Sequence, residues 1–291
     1  VARYSNGESV LSRLVRLLEA FGQDSQVSVS ELSQRTGLPL PSVSRMVAEL
    51  VDHGWLQRGA DRRVSIGASM WELVCRAAPV GELRQAALPY MTELHARVGQ
   101  HVNLAVRQGR DVLFVDRLSA PGAVRIVVNR ASRLPLSVSA PGLVLLANAP
   151  SQLQDEVLAG PLPALGPRSV TDPWALRALL SEIRRAGNAI CSGWLDPVSA
   201  SVAVPLSSGG RVIAALSLVV PNEDPAKGVP VLQHAAAQIS RALAQAGVSD
   251  VVEPKPGTSN DLVGARNWRP MGERPAGALP SQRLRDSMKG R

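Results

Sequence analysis

A chain of 291 residues is about twice the length of an average domain, so two domains and an appendage are expected. With 45% hydrophobic and 19% charged side chains it lies among globular proteins, which excludes wholesale disorder. The formal charge of +8 comes from 29 arginines and three lysines against 24 acidic residues, a balance suited to phosphate or carboxylate partners. Half of that excess, +4, falls in the last 41 residues, where five prolines and five glycines interrupt every apolar pattern. Residues 249–291 therefore read as a disordered basic tail, either solvated filler or an extra nonspecific DNA contact. The longest apolar run, Val212 to Val220 with Ser217 inside it, is too short for a membrane helix, and the first thirty residues hold no cleavable apolar segment. A cytoplasmic protein with no membrane partner is expected. Cys75 and Cys191 lack CxxC spacing, and His53, His95, His101 and His234 lack the short spacings of metal ligands, so neither a disulfide framework, a metal site nor a cofactor is expected.

The first predicted element is an amphipathic helix from about Ser9 to Phe21, because Val10, Leu11, Leu14, Leu17, Leu18 and Phe21 recur at helical spacing before Gly22. Its exposed face carries Arg13 and Arg16. Ser28-Val29-Ser30-Glu31 fits a capping box, so a helix starts at Val29, and Thr36-Gly37 ends it within eight residues. Pro41 suits the first turn of a third helix, whose Val43, Met46, Val47 and Leu50 form an i, i+3, i+4, i+7 stripe before Gly54. Burying that stripe turns Ser42, Ser44, Arg45, Ala48 and Glu49 outward, a small polar face around one arginine that suits a major groove. Residues 55–58 and 63–66 alternate around Gly59-Ala60-Asp61-Arg62 and read as a β-hairpin with Arg58, Arg62 and Arg63 near its tip. Taken singly, each piece has a plain reading: an αα-hairpin, a solvated arginine, a soluble hairpin edge. In this order within about 60 residues they predict a winged helix-turn-helix over residues 1–67, with a double-stranded DNA operator as partner.

A linker helix is expected over Ser69 to Ala78, within a connecting stretch of residues 68–80 that closes at Pro79, followed by a longer amphipathic helix from Glu82 to Val98. Strands are expected at His101 to Val106, Val112 to Leu118, Val124 to Val128, Val198 to Leu206 and Val212 to Val219, with Gly209-Gly210 as a hairpin turn. Helices are expected near Asp172 to Ala186, capped at Thr171, and from Val229 to Ala246. Hairpin strands with helices between the groups predict an α+β unit over residues 81–248, an antiparallel sheet covered by helices. No catalytic set emerges. Ser192-Gly193 and Ser207-Ser208-Gly209-Gly210 form no nucleophile elbow, so an enzyme is not expected.

The stretch from Ser28 to Gly67, with "SELSQRTGLP", "SRMVAELVDHGWLQR" and "SIG", resembles the DNA-binding half of the IclR family of bacterial transcriptional regulators. "VLFVDRLSA", "SRLPLSVSAPGLVLLA", "IRRAG" and "VPLSSGGRVIAALSL" follow in the family's order and spacing, so the resemblance covers about residues 8 to 247. It implies a GAF-like effector-binding domain in the second half, a homodimer or tetramer, and a small-molecule effector, an organic or aromatic acid of a catabolic pathway. Carried over position by position, the resemblance puts a loop with the ligand-facing small pair at Ala140-Pro141. It puts one hydroxyl at Ser201, the first of two strand serines at Ser217, and the second, here replaced, at Val219. Cys191 and Ser192 stand where many members have acidic residues. Pro141 has no amide proton and Val219 no hydroxyl, which fits a larger, less polar effector and equally a degenerate pocket. Ser201 and Ser217 are open to the alternative of plain sheet hydroxyls bonded to backbone. The rival functions are an architectural DNA binder whose second domain only oligomerises, and, more distantly, a GAF-fold enzyme with a DNA-binding appendage.

Overall fold

The computed structural model describes residues 8–22, 24, 26–77, 79–124 and 131–249. The expected basic tail, apart from Ser249, lies outside the described residues, as does the expected strand at Val124 to Val128 except for its first residue. Helix α1 (Val10–Glu19) starts where the Ser9 hydroxyl accepts from the Ser12 amide at 3.0 Å. The capping box of α2 (Val29–Thr36) has both of its bonds: the Ser28 hydroxyl accepts from the Glu31 amide at 3.2 Å, and the Glu31 carboxylate from the Ser28 amide at 2.7 Å. Gly37 then takes a left-handed φ of 67°, which a side chain would resist, and this lets α3 (Leu40–Asp52) follow directly. Val43, Val47 and Leu50 are buried as the stripe requires, whereas Met46 is only half-buried. Strands β1 (Leu56–Arg58) and β2 (Val64–Ile66) pair antiparallel, and Val27 adds an isolated bridge to Val64. Leu17, Leu32, Val43, Val47, Leu56 and Val64 close one apolar core beneath these elements.

Helix α4 (Ala68–Ala77) gives way to α5 (Pro79–Val98), so Pro79 opens a helix where the sequence pattern sets an end. The reason is local, since proline has no amide proton for a first turn to leave unpaired. Next come β3 (His101–Gln108), β4 (Asp111–Leu118) and β5 (Arg133–Pro135), then α6 (Ala140–Ala147), α7 (Ser151–Ala159) and α8 (Pro173–Ala186). The chain continues with β6 (Ala189–Ser192), β7 (Ser199–Ser208), β8 (Arg211–Pro221) and α9 (Gly228–Gln245). The cap of α8 is Asp172 and not Thr171: its carboxylate accepts from the Ala175 amide at 2.7 Å. Gly209 and Gly210, at φ 58° and 76°, make the turn between β7 and β8.

The sheet is antiparallel throughout, in the order β5-β4-β3-β8-β7-β6. Leu83, Met91 and Leu94 of α5 and Leu232, Ile239 and Leu243 of α9 pack on one face, against Leu104, Leu216 and Leu218. Leu143 and Val144 of α6, Val157 and Leu158 of α7, and Leu176 and Leu180 of α8 cover the other, against Ala105, Ala203 and Ala215. Burial on both faces is why the central strands read as nearly unbroken apolar runs. A bulge between Leu104 and Ala105 shifts the register so that Asp116 pairs with Leu104 and faces α5. There its fully buried carboxylate accepts from Arg84 Nε at 2.5 Å and from the Arg117 amide at 2.8 Å.

Candidate functional site

On the winged helix, Ser44, Arg45, Ala48 and Glu49 lie on the side of α3 away from its packed stripe, with Arg45 and Glu49 exposed. Ser42 is on the same helix, at its first turn. The side chains of Arg45, Arg58 and Arg62 make no hydrogen bond or ion pair among the described residues, so their charges are open to a partner. Arg62 occupies the hairpin tip at φ 64°, a left-handed conformation forced by the turn, with its amide donating to the Gly59 carbonyl at 3.0 Å. Arg63 differs. Its Nη2 donates to the Glu31 carboxylate at 3.1 Å and to the Gln26 carbonyl at 3.3 Å, which ties the hairpin to the start of α2. Hydrogen bonds from Ser28, with help from Arg63 and Arg35, hold the Glu31 carboxyl below its usual range. Arg16 pairs with Glu8 at 2.6 Å, and Arg13 keeps a buried Nε without a partner among the described residues.

The α6-covered face of the sheet brings together residues far apart in the chain. Cross-strand pairing puts Cys191, Ser201, Val219 and His101 in one row, and Ala189, Ala203, Ser217 and Asn103 in the next. Alternation along each strand then directs both rows to the side of Ala105, Ala203 and Ala215, beneath α6. Ala140 and Pro141, expected in a loop, are instead the first two residues of α6, and both are buried. Their position depends on Gly142, where a Cβ would collide with the Leu136 carbonyl. Ser192 is not brought to this face: it alternates with Cys191 and shares the side of exposed Ile190, its carbonyl accepting from Arg168 at 3.2 Å. Burial pushes the Cys191 thiol up, so it remains protonated and acts as a small apolar wall.

Ser217 is fully buried, and its hydroxyl has no hydrogen-bond partner among the described residues. Such an orphan costs desolvation free energy that a bound polar group would recover. By contrast, the surface groove between α7 and α8 offers no unmet polar demand, because Arg177 and Asp155 at its edge pair with each other at 2.6 Å. Two residues of the sheet face, His101 and Asn103, are not singled out by the sequence pattern. Only the ladder that places β3 beside β8 brings them to Ser217. Among the described residues, no group of His, Cys, Asp or Glu is arranged to hold a metal, and no helix is long and apolar enough to cross a membrane.

A winged helix followed by an antiparallel sheet covered by helices on both faces defines a DNA-binding transcription regulator with an effector-binding domain. The model of the IclR helix-turn-helix domain matches residues 10–60, and that of the bacterial transcriptional regulator IclR C-terminal region matches residues 75–241. The chain belongs to the IclR family. It is 27% identical to the transcriptional regulator KipR of Bacillus subtilis over 72% of this chain and 84% of that protein. Among solved structures, an IclR homolog from Microbacterium hydrocarbonoxydans, complexed with 4-hydroxybenzoate, is 42% identical at a TM-score of 0.78, covering 82% of this chain and all of that one. Pseudomonas aeruginosa HmgR is 27% identical at a TM-score of 0.66, over 79% and 95% of the two chains. The curated relatives are named as regulators rather than enzymes.

Proposed function

We propose that this protein is a one-chain sensor that binds a small organic acid, most simply an aromatic one, on the α6-covered face of its sheet, and thereby changes its grip on operator DNA. The observation that carries the reading is the fully buried Ser217 hydroxyl with no partner on that face. The complex of a 42% identical protein with 4-hydroxybenzoate supports an aromatic acid. Ser217 and Ser201 supply the polar contacts, and Val219, Cys191, Ala140 and Pro141 the apolar wall. On the DNA side, Arg45, with Ser42, Ser44 and Ala48 allowing close approach, enters the major groove. Arg58 and Arg62 touch phosphates, and Arg13 and Arg16 lie near the flanking backbone.

In this reading residues 1–67 bind DNA, residues 68–80 link, and residues 81–248 sense. Two or four copies act together, and exposed Trp71, Leu73 and Val74 on α4 suit burial against a second copy. A ligand that favours one arrangement of copies then changes the spacing of two recognition helices through α4. The test is a thermal-shift screen of 4-hydroxybenzoate, benzoate, pyruvate and glyoxylate, followed by operator binding with and without the best of them. Stabilisation and altered operator affinity are expected in the native chain, with both lost in Ser217→Ala while its ligand-free DNA binding is kept. No stabilisation by any acid would favour an effector-independent architectural DNA binder.

A further inference from the structure

The same sheet face holds a second buried polar atom without a partner among the described residues. His101 opens β3, is 7% exposed, and sits opposite Val219 in the ladder, which makes it a diagonal neighbour of Ser217 on one face. Its Nε2 lies 2.6 Å from the carbonyl oxygen of Val124. A carbonyl only accepts, so Nε2 carries a proton, and Nδ1 of the neutral ring is left as a lone-pair acceptor. That Nδ1 is buried and has no partner among the described residues.

The two orphans are complementary. The Ser217 hydroxyl can donate, and the His101 Nδ1 can only accept. One oxygen that both donates and accepts satisfies the pair, which describes a hydroxyl group. A carboxylate has no proton to offer Nδ1 of the neutral ring and would there satisfy only the serine. Val219 opposite His101, with Ala203 and Ala215 alongside, gives this face an apolar surface beside the Asn103 amide, so the hydroxyl belongs to a ligand with an apolar body.

We propose that His101 is a specificity-determining residue of the effector site: its Nδ1 accepts from a ligand hydroxyl whose oxygen accepts in turn from Ser217. The chain thereby selects hydroxylated over plain aromatic acids. This assignment rests on the sheet face being the effector site, and it adds which end of the ligand lies there. Val124, anchored by the same imidazole, holds the ring in the accepting tautomer.

The test is calorimetric titration of the full chain with 4-hydroxybenzoate and with benzoate, in native protein and in His101→Phe. The native chain is expected to prefer the hydroxylated acid by at least about tenfold, and the variant by less than about threefold, with ligand-free operator binding unchanged. A second measurement needs no variant: in an ¹⁵N-histidine spectrum of the native chain, the unprotonated Nδ1 of His101 is expected to move with 4-hydroxybenzoate and to stay in place with benzoate. Equal weakening of both acids in the variant, or equal spectral responses to both, would overturn the His101 assignment alone. A native chain that binds neither acid would overturn the aromatic-acid reading and this assignment with it.

Discussion

Arg62 and Arg63 are neighbours in the hairpin, yet what holds them separates their roles. Arg63 is bonded to Glu31 and the Gln26 carbonyl and so braces the hairpin against α2, whereas the side chains of Arg62 and Arg58 have no partner among the described residues. Replacing Arg58 and Arg62 together by alanine should reduce the slope of log K against log salt by about 2, with specific and nonspecific DNA weakened alike. An unchanged slope would put both in solvent. Arg45→Ala should cost ~1–3 kcal/mol of operator binding if it reads a base, with folding unchanged, which a gel-shift titration measures. Glu31 adds a pH dependence. Its folded-state pKa is depressed, so its contribution is present above the unfolded carboxylate value and is lost as pH falls through the folded one. Denaturant melts at falling pH should therefore show a loss of stability in the acid range that Glu31→Gln lacks.

At the scale of elements, most of the pattern is legible in the sequence because it is local. The Ser28 capping box, the Gly37 turn and the α3 stripe each depend on residues within one or two helical turns, and each stands where the spacing puts it. The cap of α8 is equally local but ambiguous: Thr171 and Asp172 are both good N-cap residues, and only the carboxylate of Asp172 reaches the Ala175 amide. Asp172→Ala should therefore cost about 1 kcal/mol of unfolding free energy and Thr171→Ala almost none, as urea melts would report. Two strands escape the pattern for a different reason. Strands β5 and β6 have three and four residues, too few for alternation to register, and they are strands only because β4 and β7 lie beside them. The loop that the family resemblance sets at Ala140-Pro141 is instead the start of α6. Here the proline occupies the first turn and the glycine allows close approach to the Leu136 carbonyl.

For the molecule as a whole, the exposed apolar surface of α4 argues for self-association, since Trp71 is 67% exposed and Leu73 and Val74 lie beside it. Trp71→Glu should shift the sedimentation profile toward monomer and weaken operator binding, while the isolated chain keeps its helix content. The α+β class, the winged helix with its outward Arg45, and the common face of Ser217 and Val219 are all legible in the order of the residues alone. All of these follow from periods of 3.6 and 2 read along one segment. Packing between segments sets that the Ser217 hydroxyl has no partner among the described residues, that Arg63 is bound to Glu31, and that His101 stands diagonally beside Ser217. The physical reason is that these properties arise between segments: His101 and Ser217 are remote in the chain, and only the antiparallel pairing of β3 with β8 makes them neighbours.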